Sequence, residues 1–179
     1  MYSGALSPAG PPDLFMIAAH GRASMGEVAI AIGGSTCSST AWPSASRAVF
    51  IPFTISERHT YLRACLANGA TLSGNFDIGV YSMAGTRLFS TGTTAQAGSA
   101  SLMRVVTINW TLDPGNYYLA LVVDNTTATV IATPPSASNL RSNGCKQMAA
   151  AFVLPSTATF AAYASGFLPV FGICEKTWL

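Results

Sequence analysis

Between Val105 and Asp124 the chain spells out two neighbouring strands and the turn that joins them. Val106, Ile108, Trp110 and Leu112 fall on one side of an extended backbone, and Val105, Thr107, Asn109 and Thr111 on the other. A side-chain period of two marks a strand with one buried face. Asp113-Pro114-Gly115 reads as the turn. The prolyl ring presets φ, and Gly115 is expected in the left-handed position. Beyond it Tyr117, Leu119, Leu121 and Val123 alternate with Tyr118, Ala120, Val122 and Asp124. The second face is also fairly apolar, which predicts a central strand covered on both sides.

The same grammar recurs along the chain. Ala48 to Ile55 alternates with Pro52 inside it. Proline lacks the ladder donor, so this strand is expected at an edge or bulged. His59 to Ala67 follows and ends at the turn Asn68-Gly69. Phe76, Ile78 and Val80 point one way, and Asn75, Asp77 and Tyr81 the other. The turn Ser82-Met83-Ala84-Gly85 leads into Thr86 to Thr91, with Gly85 free to take a positive φ. Thr127 to Thr133 is a strand stopped by Pro134-Pro135. Ser136 to Lys146 reads as a loop, Ala149 to Leu154 and Thr159 to Ala164 as strands, and Phe167 to Leu179 as a closing tail. No stretch reads as a long amphipathic helix. Short strands at this spacing with turn signals between them predict an all-β fold, an antiparallel β-sandwich of jelly-roll type over residues 46–179. Residues 1–45 read as an extended N-terminal arm and loop. Pro8, Pro11 and Pro12 disfavour helix there, and Glu27 to Ile32 forms one short strand.

Composition narrows the role. Only 9% of the residues are charged and the net charge is +2. That excludes a coiled coil and a disordered chain, and it leaves no basic stripe for nucleic acid. A lone monomer stays dispersed through a charged, mixed surface. A chain this poor in charge is expected to hide surface against copies of itself, to sit in a membrane, or to present a Ser/Thr/Asn/Gly exterior. The 26 uncharged residues from Met148 to Ile173 are long enough to span a bilayer, yet Pro155, Pro169, Gly166 and Gly172 interrupt them. Their apolar residues come in short bursts that suit two buried strands. Leu14 to Ala19 is too short for a secretory signal and no Lys or Arg precedes Arg22, so no signal peptide is read. The sequons at Asn109 and Asn125 are then coincidental. Cys37, Cys65, Cys145 and Cys174 form no C-x-x-C pair, which argues against zinc. Three disulfide pairings are open to them, and four buried thiols are the favoured state.

Nothing in the pattern supplies catalysis, and the chain is read as non-enzymatic, without cofactor or metal. The two histidines, His20 and His59, fit a surface or interface role. A triad of His59 with Asp77 or Asp124 has 19 serines to choose from, too free a choice to mean anything. No G-x-S-x-G elbow, dinucleotide fingerprint or P-loop lysine is present. Asp124-Asn125, the only local pair suited to calcium, reads as a turn after a strand. Flat rings can stack on sugar faces, and Trp42, Tyr81 and Tyr118 are the exposed candidates for contact with a ligand or partner. A carbohydrate-binding module built on them is the alternative reading.

Three stretches carry a likeness: Gly74-Asn75-Phe76-Asp77-Ile78-Gly79-Val80-Tyr81, Ala84-Gly85-Thr86-Arg87-Leu88, and Leu112-Asp113-Pro114-Gly115-Asn116-Tyr117-Tyr118-Leu119-Ala120-Leu121. Together they resemble a module of β-sandwich structural proteins in tailed-bacteriophage virions. The resemblance spans about 50 of 179 residues. It implies a virion component (a tail fibre or spike segment, an adaptor or a capsid decoration), commonly a homotrimer, made in the host cytoplasm. Its implied partners are itself, other capsid or tail proteins and a host surface glycan. It brings no catalytic motif with it.

Overall fold

In the computed structural model of the chain, residues 37–149 and 152–174 are described. The arm expected over residues 1–25 and the strand expected over Glu27 to Ile32 lie outside them. The elements are β1 (Ser38–Ala41), β2 (Arg47–Ile55), β3 (His59–Ala67), β4 (Asn75–Ser82), β5 (Arg87–Ser90), β6 (Thr94–Ala95), β7 (Met103–Leu112), β8 (Gly115–Val123), β9 (Thr129–Thr133), α1 (Ala137–Ser142), β10 (Lys146–Ala149), β11 (Ala161–Ala162), β12 (Leu168–Pro169) and β13 (Phe171–Cys174). The fold is all-β, and the strands pair antiparallel throughout the described residues.

A seven-stranded sheet runs β11-β10-β2-β8-β4-β5, with β6 also on β4. Opposite it stand β1-β9-β12 and β13-β3-β7. These two short sheets meet where Asn68 bridges to Val130 and where Val170 links Ala67 to Ile131. Val49, Ile51 and Phe53 of β2, Phe76, Ile78 and Val80 of β4, and Leu119, Leu121 and Val123 of β8 form the inner face of the large sheet. They pack on Tyr61, Leu66, Ile108, Trp110, Val130 and Phe171 from the facing layer. Burying one such side chain stabilises the fold by about 1.5–3 kcal/mol before entropy is counted. The alternation seen in the sequence therefore becomes the interior of a sandwich.

β8 lies between β2 and β4, with apolar side chains buried on both faces, as its two-sided pattern predicts. Pro52 sits at a local edge, one of the two settings its ring predicts. The first half of β2 is covered, because β10 pairs with Arg47 to Phe50. From Ile51 on, β2 ladders with β8 alone among the described residues, and the missing proline donor is tolerated there. Gly115 needs a correction, since it is not among the positive-φ glycines. A Cβ there would sit 3.1–3.2 Å from the Tyr117 ring, which folds back so that its hydroxyl donates to the Asp113 carbonyl at 2.9 Å. Close approach, rather than handedness, is what that glycine supplies. Gly85 does take φ +91° at the end of the Ser82–Gly85 turn.

The C-terminal third departs furthest from its expected form. The loop after Pro135 contains α1, capped by the Ser136 hydroxyl, which accepts from the Asn139 amide. Of the strand expected over Ala149 to Leu154, the described residues give only Ala149, the last of β10, and irregular backbone from Phe152 to Leu154 that continues to Phe160. Within the closing tail, β13 is wholly buried beside β3. Residues 38–45, grouped with the arm in the sequence reading, supply β1 and the buried Trp42. Among the described residues no helix is long and apolar enough to cross a membrane.

Candidate functional site

The outer face of the seven-stranded sheet is the most elaborate polar and aromatic region of the fold. Phe50, Tyr81, Tyr118, Ala120, Val122 and Met148 would face solvent there, but the segment from Phe152 to Phe160 lies across them as a strap. Tyr81 and Tyr118 are direct cross-strand partners in the β4–β8 ladder. Phe50 meets Tyr81 edge-on with ring centroids 5.2 Å apart, and Phe160 closes on Phe50 at 5.0 Å and on Tyr118 at 4.8 Å. The arrangement is a second small core, filled by the chain's own residues.

Polar anchors fix the strap at its centre. Asp77 is fully buried on the same face. Its carboxylate accepts from Ser90 Oγ at 2.8 and 2.9 Å, from Thr91 Oγ1 at 3.1 Å and from the Leu154 amide at 3.1 Å. Burial pushes its acid above the ordinary range, against the pull of these hydrogen bonds and of the nearby Arg87 charge. Arg87 Nη1 donates to the Leu154 carbonyl, and the Tyr81 hydroxyl donates to the Pro155 carbonyl at 2.6 Å. Gly79 lets the strap come this close, since a Cβ there would stand 2.8 Å from Leu154 Cδ1. The sequence reading missed Arg87, Ser90, Thr91 and Leu154. The available signal was an acid at 77 among strand residues that otherwise carry no charge.

The three expected contact residues are not at the surface. Trp42 is 1% exposed, in the inter-sheet core, edge-on to Phe167 with centroids 5.3 Å apart, and its Nε1 donates to the Arg47 carbonyl. Tyr81 is 0% exposed and Tyr118 5%. The structure therefore brings Tyr81 and Tyr118 together, but under the strap, and leaves Trp42 in the other core. The two-sided apolar pattern of β8 already pointed to a cover over Tyr118, but the strap that supplies it, and that also covers Tyr81, is distant in sequence.

The remaining candidates also have structural settings. His59 opens β3 in one layer while Asp77 lies in the other, with its carboxylate already occupied. Asp124 caps a turn, accepting from Asn75 N at 3.0 Å and from Asn75 Nδ2 at 2.8 Å. Asn125 Oδ1 accepts from the amides of Thr127 and Ala128. Among the described residues no three of His, Cys, Asp and Glu gather as a metal cluster would require. Cys65, Cys145 and Cys174 are buried and lie in no disulfide, whereas Cys37 is exposed, contrary to the expectation of four buried ones. Burial and the neighbouring Cys174 push the Cys65 thiol up to about 12, and burial alone does the same for Cys145. A thiol held protonated in this way is a poor nucleophile. Compared with protein-family models, with curated proteins and with solved structures, the chain finds no match.

Proposed function

We propose that the chain is a non-enzymatic structural component of a bacteriophage virion (a tail fibre segment, adaptor or capsid decoration) built on a jelly-roll-like sandwich. In this reading copies of the chain associate through the N-terminal segment and sheet surfaces, and exposed loops touch other capsid or tail proteins or the host surface. One observation carries it. The chain folds as a sandwich whose rings and buried acid are used internally, while only 9% of its residues carry charge. A surface with so little charge gains from being covered. The ion pair between Arg58 and Asp113, at 3.5 Å, lies on exposed side chains and contributes little. A sugar platform made of Trp42, Tyr81 and Tyr118 is disfavoured because those rings are buried. The test is mass spectrometry of particles purified from an infected host that encodes the chain. Peptides of this chain at a constant ratio to the capsid protein are expected, and particles free of it overturn the virion reading.

A further inference from the structure

Sandwich proteins blunt the open edges of their sheets, because unpaired N–H and C=O groups invite a foreign strand. Here β6, β11 and β12 are two residues each, and β1 and β13 four. The start of β5 is taken by the strap, with the Arg87 amide donating to the Ser156 carbonyl at 2.9 Å and the Ala158 amide to the Gly85 carbonyl at 2.8 Å. The second half of β2, which also ladders on one side only among the described residues, is blunted by Pro52. β7 is the exception. It runs for ten residues and, among the described residues, pairs with β3 alone.

The register with β3 shifts between Tyr61 and Arg63, whose partners are Trp110 and Thr107, so Ile108 and Asn109 bulge. A bulge ends regular pairing. The open stretch is therefore Met103 to Thr107, with Leu102 before it. This stretch carries no proline, lysine or acid. Its one charge, Arg104, turns Nε back to the Ala95 carbonyl at 3.4 Å. Leu102 is 61% exposed and Met103 37%.

We propose that the Met103–Thr107 edge docks the same edge of a second copy, antiparallel across a twofold axis centred on Val105. Deepening the homo-oligomer part of the proposed function, the contact is independent of the virion part. A twofold axis makes the contact isologous, and antiparallel strands alone satisfy it. In this register Val105 faces Val105, Met103 faces Thr107, and Arg104 faces Val106. No like charges meet, and Leu102 continues the seam at each end. Cross-strand pairing of β-branched side chains contributes at the centre. The result is a continuous six-stranded sheet from β13 of one copy to β13 of the other. It gives two copies, where the resemblance implies three.

The test is size-exclusion chromatography of the full chain with light scattering, with circular dichroism of each variant as a fold check. The wild type is expected at twice 18.5 kDa. Val105→Lys and Val105→Glu each place like charges face to face and are expected at the single mass. Mixed in equal amounts, the two are expected to recover the doubled mass, which misfolded chains would not do. Thr107→Lys, at an exposed position, is expected to weaken dimerisation at least tenfold. Oligomers that persist in both Val105 variants, a mixture that stays at single mass, or a Thr107→Lys dimer of unchanged affinity overturns the β7 contact and leaves self-association standing. A wild-type mass of three copies also overturns it. A wild type at single mass overturns both.

Discussion

Replacing Asp77 with alanine removes the group that ties the strap to the sheet. Three donors lose their acceptor: Ser90 Oγ, Thr91 Oγ1 and the Leu154 amide. The hydroxyls have other partners, since Thr91 Oγ1 also receives the Ile78 amide and Ser90 Oγ the Gly92 amide. The Leu154 amide has no such alternative, and a buried donor left unpaired costs about 1–3 kcal/mol. Against this, alanine relieves the desolvation of a buried carboxylate. A net loss of about 2 kcal/mol corresponds to a melting temperature lower by about 4–8 °C for a chain of this length. Asp77→Asn keeps an acceptor for Leu154 and is expected to lose less than half as much. The sign of the pH dependence follows from burial. The native carboxyl titrates above its ordinary 3.8, so the folded chain binds this proton more tightly than the unfolded chain. Its stabilisation is present below 3.8 and is lost as pH rises through the native value. The stability of the wild type relative to Asp77→Asn is expected to fall across that window. Differential scanning calorimetry at several pH values measures both effects. An alanine variant that melts with the wild type, or an Asn variant as damaged as the alanine one, refutes the anchoring role.

Three further outcomes follow from the same structure. Gly79→Ala sets a methyl 2.8 Å from the Phe89 carbonyl, which is backbone and cannot swing away, so chemical denaturation should show a loss of about 1–3 kcal/mol. Asp124 behaves oppositely to Asp77. Burial acts to raise its acid, but hydrogen bonds from Asn75 and Asn125 outweigh that and hold it below 3.8. Its stabilisation is present above 3.8 and fades as pH falls through the native value, so the deficit of Asp124→Ala should vanish in acid titrations. Thiol titration with a disulfide reagent should count one reactive cysteine per native chain, Cys37, and four after denaturation. A second fast thiol in the native protein would contradict the burial of Cys65, Cys145 and Cys174.

Local pattern determined much of this protein. The alternation at Val106 to Leu112 and Tyr117 to Val123, the Asp113–Gly115 turn and the positive φ of Gly85 depend on neighbours a few residues apart, and they are readable from the chain. So was the central place of β8, because both of its faces are apolar. Tertiary structure alone decided what covers the outer face of the large sheet. Asp77 meets Leu154, and Tyr81 meets Pro155, across more than seventy residues, and Phe152 to Phe160 carry no period to announce that they cross a sheet. For that reason Tyr81 looked available and was not, whereas the apolar second face of β8 already argued for a cover over Tyr118. Trp42 is buried because β1 pairs with β9, a contact nearly ninety residues away. Side-chain period tells which residues share a face; only the packed chain tells whether that face meets water.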